Sequence, residues 1–146
     1  MFFMITFNYR KEKNSLGGII FRPVADVVLQ SNIGAVEVGM YIDSGADVSL
    51  IPLSIGLALG FSQKAHEIKE MKGISSEPIP YVLKKVNFIF NNFKIEAEIA
   101  WALIEEIPIL LGRKDIFTRF KIIFDESKKK ILFKPVPVVL TAHGAY

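Results

Sequence analysis

The stretch Tyr-Ile-Asp-Ser-Gly-Ala-Asp-Val-Ser-Leu-Ile-Pro, residues 41–52, decides how the rest of this chain is interpreted. It places an acidic residue, Asp43, at the end of a strongly apolar run. Burying a carboxylate is costly unless it is paired or hydrogen-bonded, so an acid at such a position needs a special environment. The small residues Ser44, Gly45 and Ala46 follow at once and permit a tight loop with free space beside the carboxylate. The stretch therefore predicts an acid held on a tight loop, with room for a ligand over it.

A second segment gives this loop a more specific meaning. By itself, Asp-Ser-Gly is also ordinary turn chemistry, in which Asp43 caps backbone amides. Residues 109–117, Ile-Leu-Leu-Gly-Arg-Lys-Asp-Ile-Phe, follow later in the chain. The two segments together resemble the acid loop and the apolar-apolar-Gly-Arg element of retropepsin-like aspartic proteases. This resemblance covers roughly residues 22–133 and implies the fold and the activity of that family.

The family's chemistry requires two aspartates in matching loops. Two carboxylates a few Å apart cannot both ionise comfortably, so they share one proton and activate a water between them. This chain has one such loop and, at 146 residues, is too short to be a two-lobed single-chain enzyme. The resemblance therefore implies an aspartic endopeptidase that acts as a homodimer on polypeptides, with one Asp43 from each subunit.

The resemblance also assigns roles by position. Ser44 and Gly45 belong with Asp43 to the catalytic loop, where Ser44 would hydrogen-bond across the dimer. Asp47 and Arg113 would form a structural ion pair, because the planar guanidinium can hold a carboxylate through two hydrogen bonds. Residues 71–76 would form the flap, a mobile hairpin that closes over the peptide. The residues expected to bind substrate are Ala46, Val48, Leu50, Gly73, Ile74, Ile107 and Leu110.

The pattern of the whole chain is that of an all-β protein. Apolar runs of roughly 5–8 residues are bounded by Gly, Pro, Asn or Ser, which is typical of strands. Two segments look helical: 52–59, closed by Gly60, and a short turn within 113–119. The sequence predicts a closed β-barrel with one or two short helices. The predicted strands are 22–30, 35–42, the hairpin 81–90 with 93–103, and the hairpin 120–124 with 130–133.

Length and order favour a single domain over residues 1–146. Its core is expected at about 22–133, with an N-terminal extension at 1–21 and a C-terminal arm at 135–146. In the family it resembles, terminal strands build the dimer sheet, so both extensions bear on the dimer geometry.

Composition narrows the possible functions. The chain has 51% hydrophobic and 23% charged residues, enough for a packed core. It has no cysteine, which excludes disulfides and thiol nucleophiles, and two histidines, which argue against a multi-histidine metal site. We expect no metal and no cofactor. Apolar stretches are too short for a spanning helix and no signal peptide is recognisable, so we expect a soluble cytoplasmic protein that binds neither membrane nor nucleic acid.

Several alternatives stay open at this stage. The domain could be an inactive peptide-binding or scaffold module that keeps the same groove. A small basic barrel that binds single-stranded nucleic acid is a third class, but it needs exposed aromatic residues in a positive groove. Trp101 is expected in the core, the pair Glu105 and Glu106 as solvated charges, and His66 and His143 on the surface.

Overall fold

The structure is a computed structural model that describes residues 4–72, 77–137, 140–141 and 144–145. It contains fourteen described strands, one α-helix, α1 (Leu53–Ala58), and a 3₁₀ turn at Ala65–Glu67. The strands in chain order are β1 (Ile5–Asn8), β2 (Arg10–Lys13), β3 (Ile19–Arg22), β4 (Val24–Gln30), β5 (Ala35–Ile42), β6 (Ser49–Ile51), β7 (Lys69–Lys72), β8 (Pro78–Phe90), β9 (Phe93–Ala102), β10 (Leu110–Leu111), β11 (Phe120–Asp125), β12 (Lys130–Pro135), β13 (Leu140–Thr141) and β14 (Gly144–Ala145).

Six of these strands close into a barrel. Neighbouring strands pair in the order β4, β5, β10, β6, β9 and β8, and β4 pairs with β8 to complete the ring. Strand β7 pairs antiparallel with the first four residues of β8. The predicted all-β closed barrel is confirmed. Closure pairs the strand edges that an open sheet would leave exposed.

The core is built from the alternating inward residues of these strands. In β4 and β5, Val27, Leu29, Val38 and Met40 are buried, while their neighbours alternate outward. Trp101 is buried as predicted, and its indole N–H donates to the carbonyl of Leu53, 3.1 Å away. This bond satisfies the one polar atom of the indole and fixes α1 against the barrel.

The N-terminal extension is part of the fold. Strand β1 pairs with β12 of the same chain, and β12 pairs with β11. Ile5 and Phe7 are buried in the main core, where the ring of Phe7 meets that of Phe133 at a centroid distance of 5.2 Å. The buried cluster thus includes residues that precede the expected core of 22–133, and their alternation in a four-residue strand is too short to predict burial until the partner strand is known.

One of the two predicted helical segments forms a helix. Helix α1 follows Pro52, and the chain leaves it through Gly60 at φ +77°, a conformation that favours glycine. The segment 113–119 forms successive turns with no regular helix. In the described residues no helix is long and apolar enough to cross a membrane. Within the C-terminal arm, β13 pairs with β14.

Candidate active site

The fold brings the two motif segments side by side. Strand β10 runs parallel to β5, with Leu110 beside Tyr41 and Leu111 beside Ile42. The backbone N–H of Asp43 donates to the carbonyl of Leu111 at 3.0 Å. The acid loop thus begins at a strand end that is held by the second segment.

The loop holds the Asp43 carboxylate by short local contacts. The side-chain oxygen Asp43 Oδ1 accepts a hydrogen bond from the N–H of Gly45 at 2.9 Å. The backbone carbonyl of Asp43 accepts a second one from the N–H of Ala46 at 3.2 Å. Asp43 is half-buried, whereas Ser44 and Gly45 are exposed. A Cβ at position 45 would lie 3.2 Å from Asp43 Oδ1, a tight contact. The carboxylate is therefore oriented but still accessible.

Backbone hydrogen bonds tie the loop to the second segment. The N–H of Arg113 donates to the carbonyl of Ala46, and the N–H of Lys114 donates to that of Asp47, both at 2.9 Å. The ion pairs among the described residues do not include the predicted pair of Asp47 with Arg113. Within one subunit, backbone hydrogen bonds connect the acid loop to the second segment. The side chains of Asp47 and Arg113 are both exposed.

Gly112 makes this close approach possible. A Cβ at this position would overlap the backbone carbonyl of Val48 and lie 2.8 Å from the N–H nitrogen of Ser49. The N–H of Gly112 donates to Ser49 Oγ at 2.9 Å, and both residues are buried. Sequence reasoning assigned no role to Ser49. Its one signal is a hydroxyl in the apolar strand directly after the loop.

An apolar hollow of about 350 Å³ opens beside the loop. It gathers four of the predicted substrate-binding residues, and Ile107 packs in the same apolar cluster around Leu50. Met71, which lies in the predicted flap, and Tyr81, which had no predicted role, also line it. The predicted flap residues Gly73 and Ile74 lie outside the described residues. The lining consists of Ala46, Asp47, Val48, Leu50, Met71, Tyr81 and Leu110.

A second, more polar hollow of about 570 Å³ contains Asp43 itself. Glu12, from the N-terminal extension, and Arg22, the last residue of β3, line it together with Tyr41. The phenol of Tyr41 donates to Glu12 Oε2 at 2.7 Å, and Arg22 Nε lies 3.2 Å from Glu12 Oε1. The hydrogen bond to Glu12 raises the pKa of Tyr41, and burial adds to it. None of these three residues was assigned a functional role from the sequence.

Other candidate residues lie apart from this site. Glu105 accepts hydrogen bonds from the N–H of Ser54 at 2.8 Å and from its hydroxyl at 2.6 Å, and both bonds lower its pKa. It therefore caps the start of α1 while staying exposed, as Glu106 does. His66 is exposed, and His143 lies outside the described residues. No cluster of three or more potential metal ligands occurs in the part of the chain that the structure describes.

Comparisons with known proteins agree with this arrangement at the level of fold. No family model and no curated protein matches the sequence. A retropepsin-like aspartic protease from Rickettsia conorii matches with a TM-score of 0.61 and 15% identity, covering 88% of this chain and 97% of that chain. The EIAV protease in complex with the inhibitor HBY-793 matches with a TM-score of 0.45 and 19% identity, covering 70% of this chain and 88% of that chain. The chain therefore has the fold of the retropepsin-like aspartic proteases, and the predicted resemblance is confirmed at that level.

Proposed function

We propose that this protein is an aspartic endopeptidase that acts as a homodimer. The observation that carries the proposal is the position of Asp43: an accessible carboxylate at the end of a barrel strand, oriented by Gly45 and lining a hollow. The retropepsin-like fold supports the same reading. Because the reaction uses water as nucleophile and aspartate as catalyst, the proposal includes no cofactor.

The chemistry follows from the mutual repulsion of two carboxylates. When two Asp43 side chains lie about 3 Å apart, one keeps a proton and the other is charged. The charged one accepts a proton from the bound water, which attacks the peptide carbonyl, while the protonated one donates to the carbonyl oxygen. One subunit supplies one carboxylate, so a second copy related by a two-fold axis must supply the other. Ser44, exposed beside Asp43, is proposed to hydrogen-bond across that axis.

The substrate is proposed to be an extended segment of polypeptide. A peptide can add as a strand through main-chain hydrogen bonds, with alternate side chains entering pockets. The apolar hollow lined by Val48, Leu50 and Leu110 would take an apolar side chain next to the cleaved bond. Residues 71–76 would close over the bound peptide and exclude water. The chain has no cysteine, which is compatible with a reducing compartment, and we place the protein in the cytoplasm.

Replacing Asp43 tests the proposal most directly. In Asp43→Asn the amide keeps the shape of the side chain but can neither accept the water's proton nor share one. We expect cleavage of an unfolded protein substrate between pH 3 and pH 7 to fall by about 10³-fold or more. The matched control is Glu37→Gln, which removes an exposed carboxylate from the same strand, β5, and should leave the rate unchanged. Mass spectrometry of the fragments measures both variants.

The outcomes separate the enzyme from its main alternative. Equal cleavage by the wild type and Asp43→Asn would refute the proposed mechanism. A dimeric wild type that binds peptides without cutting them would favour the inactive scaffold module, which keeps the fold and the groove but lacks turnover.

A further inference from the structure

The N-terminal hairpin, residues 10–22, is a well-formed element that stands out from the barrel. Strands β2 and β3 pair from Arg10 with Arg22 to Lys13 with Ile19. At its tip, Asn14 Oδ1 accepts from the N–H groups of Leu16 and Gly18 at 3.0 and 2.8 Å, and Gly17 adopts φ +82°. These bonds give the tip a defined shape rather than that of a loose connection.

Its inner face is fastened beside the candidate active site. Glu12 accepts from Tyr41, and Arg22 lies both near Glu12 and over the Tyr41 ring, 5.7 Å from the ring centroid. At the base, Arg10 forms an ion pair with Asp26 at 2.9 Å. The hairpin is thus held to β5 by polar contacts at the hollow that contains Asp43, and to β4 by the Arg10–Asp26 ion pair outside that hollow.

Its outer face is apolar and basic. Lys11 pairs with Phe21 and Lys13 with Ile19, and directly paired residues project to the same side of a ribbon. Leu16 at the tip is 93% exposed, Ile19 is 60% exposed and Phe21 is 43% exposed. Lys129 Nζ of the β11–β12 turn lies over the Phe21 ring, 5.7 Å from its centroid, so Leu16 and Ile19 are the apolar side chains left most exposed on the hairpin.

The register shows at which end of the barrel the hairpin is attached. The N–H of Ile42 donates to the carbonyl of Pro23, so Arg22 lies level with Asp43 at the end of the sheet. Glu12 and Arg22 also line the hollow that contains Asp43, so the hairpin is attached at the same end of the barrel. Two Asp43 carboxylates that share a proton must lie about 3 Å apart. A second copy that completes the pair therefore approaches the barrel at the end where the hairpin is attached.

We infer that the N-terminal hairpin is a dimerisation element, whose exposed residues Leu16 and Ile19 pack against the second copy of this chain. The inference rests on the proposed function, since that function places the second copy at Asp43. The hairpin then has two tasks: its outer face stabilises the dimer, and its inner face contributes Glu12 and Arg22 to the wall of the active site. Dimer formation and completion of the site become one event.

The first experiment measures dimer affinity. Leu16→Glu with Ile19→Glu places two charges on the exposed face without touching the hydrogen bonds of the tip. The control is Ile33→Glu, at a position that is 77% exposed in the turn at the opposite end of β4 and β5. Analytical ultracentrifugation should show a dimer dissociation constant raised at least tenfold in the double variant and unchanged in the control. Activity per subunit should fall at low protein concentration and recover as concentration rises.

A second experiment uses the absence of cysteine in the chain. Leu16→Cys introduces a single thiol at the tip, which can carry a benzophenone photocrosslinker. Illumination should yield a covalent dimer, and the same label at Ile33→Cys should not. This readout does not depend on how well a charged variant folds.

The results distinguish failure of the hairpin from failure of the proposed function. A dimeric, active wild type whose dissociation constant is unaffected by the double variant, with no crosslink from position 16, overturns the hairpin inference alone. A wild type that is monomeric and inactive at every concentration would refute both the hairpin inference and the proposed function. If the wild-type dimer persists in the double variant while binding to vesicles with an anionic lipid is lost, the surface serves a membrane instead, which also overturns the inference.

Discussion

The two loops that meet at the site start from similar positions in the barrel but differ in exposure and in the role of their residues. Each follows the end of a barrel strand, β5 or β10, and these strands lie parallel and adjacent. The first loop ends its strand with an accessible carboxylate, Asp43, followed by exposed small residues. The second ends its strand with Gly112, buried against the backbone of Val48 and Ser49.

This difference separates the part that performs chemistry from the part that positions it. Gly45 leaves space over a carboxylate, whereas Gly112 lets two backbones approach. The same residue type is therefore predicted to matter for activity in one loop and for stability in the other. Substituting alanine at each position tests the comparison.

The largest effect on folding is expected for Gly112→Ala. The added methyl group would overlap backbone atoms of Val48, which cannot move aside as a side chain can. Overpacking of this kind costs about 3 kcal/mol at the upper end of its usual range. For a chain of this length that corresponds to a fall in Tm of about 6–12 °C. Calorimetry at one fixed protein concentration measures it, and a Tm within about 2 °C of the wild type would contradict the assigned role of Gly112.

A smaller effect, of a different kind, is expected for Gly45→Ala. Its methyl group would lie 3.2 Å from Asp43 Oδ1, so the carboxylate has to shift by a few tenths of an ångström. Displacements below 1 Å at reacting groups can reduce rates strongly, and we expect kcat to fall about tenfold. The free energy of unfolding should change by less than about 0.5 kcal/mol, since the position is exposed. A loss of stability comparable to that of Gly112→Ala would remove the distinction between the two loops.

The smallest effect, a change in Tm, is expected for Glu105→Gln, at the contact between the segments that flank the two loops. Glu105, which precedes the second loop, caps helix α1, which follows the first. Hydrogen bonds from Ser54 lower the pKa of Glu105, so its stabilising contribution is present above the pKa of the unfolded chain and is lost as pH falls through the folded pKa. Glu105→Gln should therefore lower Tm slightly at neutral pH, and the difference should vanish in acid. Thermal unfolding of both proteins at pH 7 and pH 3 measures it, and a difference that grows on acidification would show the sign to be wrong.

Much of the site could be predicted because its signals are local. The acid after an apolar run, the small residues behind it and the later Leu-Gly-Arg element are each read from a few neighbouring residues. The predicted pocket residues Ala46, Val48, Leu50 and Leu110 are indeed gathered in one hollow, and Ile107 packs in the same cluster. The ion pair of Asp47 with Arg113 was implied by the family resemblance; the ion pairs of the described residues do not include it, and backbone hydrogen bonds tie the two segments together.

The sequence by itself determined the six longest strands, the all-β class, the acid loop and its companion segment, because each depends on side chains close together in the chain. The tertiary structure alone decided which distant residues complete the site. Ser49 and Gly112 are 63 residues apart in the chain, and Glu12 meets Tyr41 across 29. Such contacts exist only once the barrel has closed and set every strand in register, and no local pattern of residue types encodes that geometry.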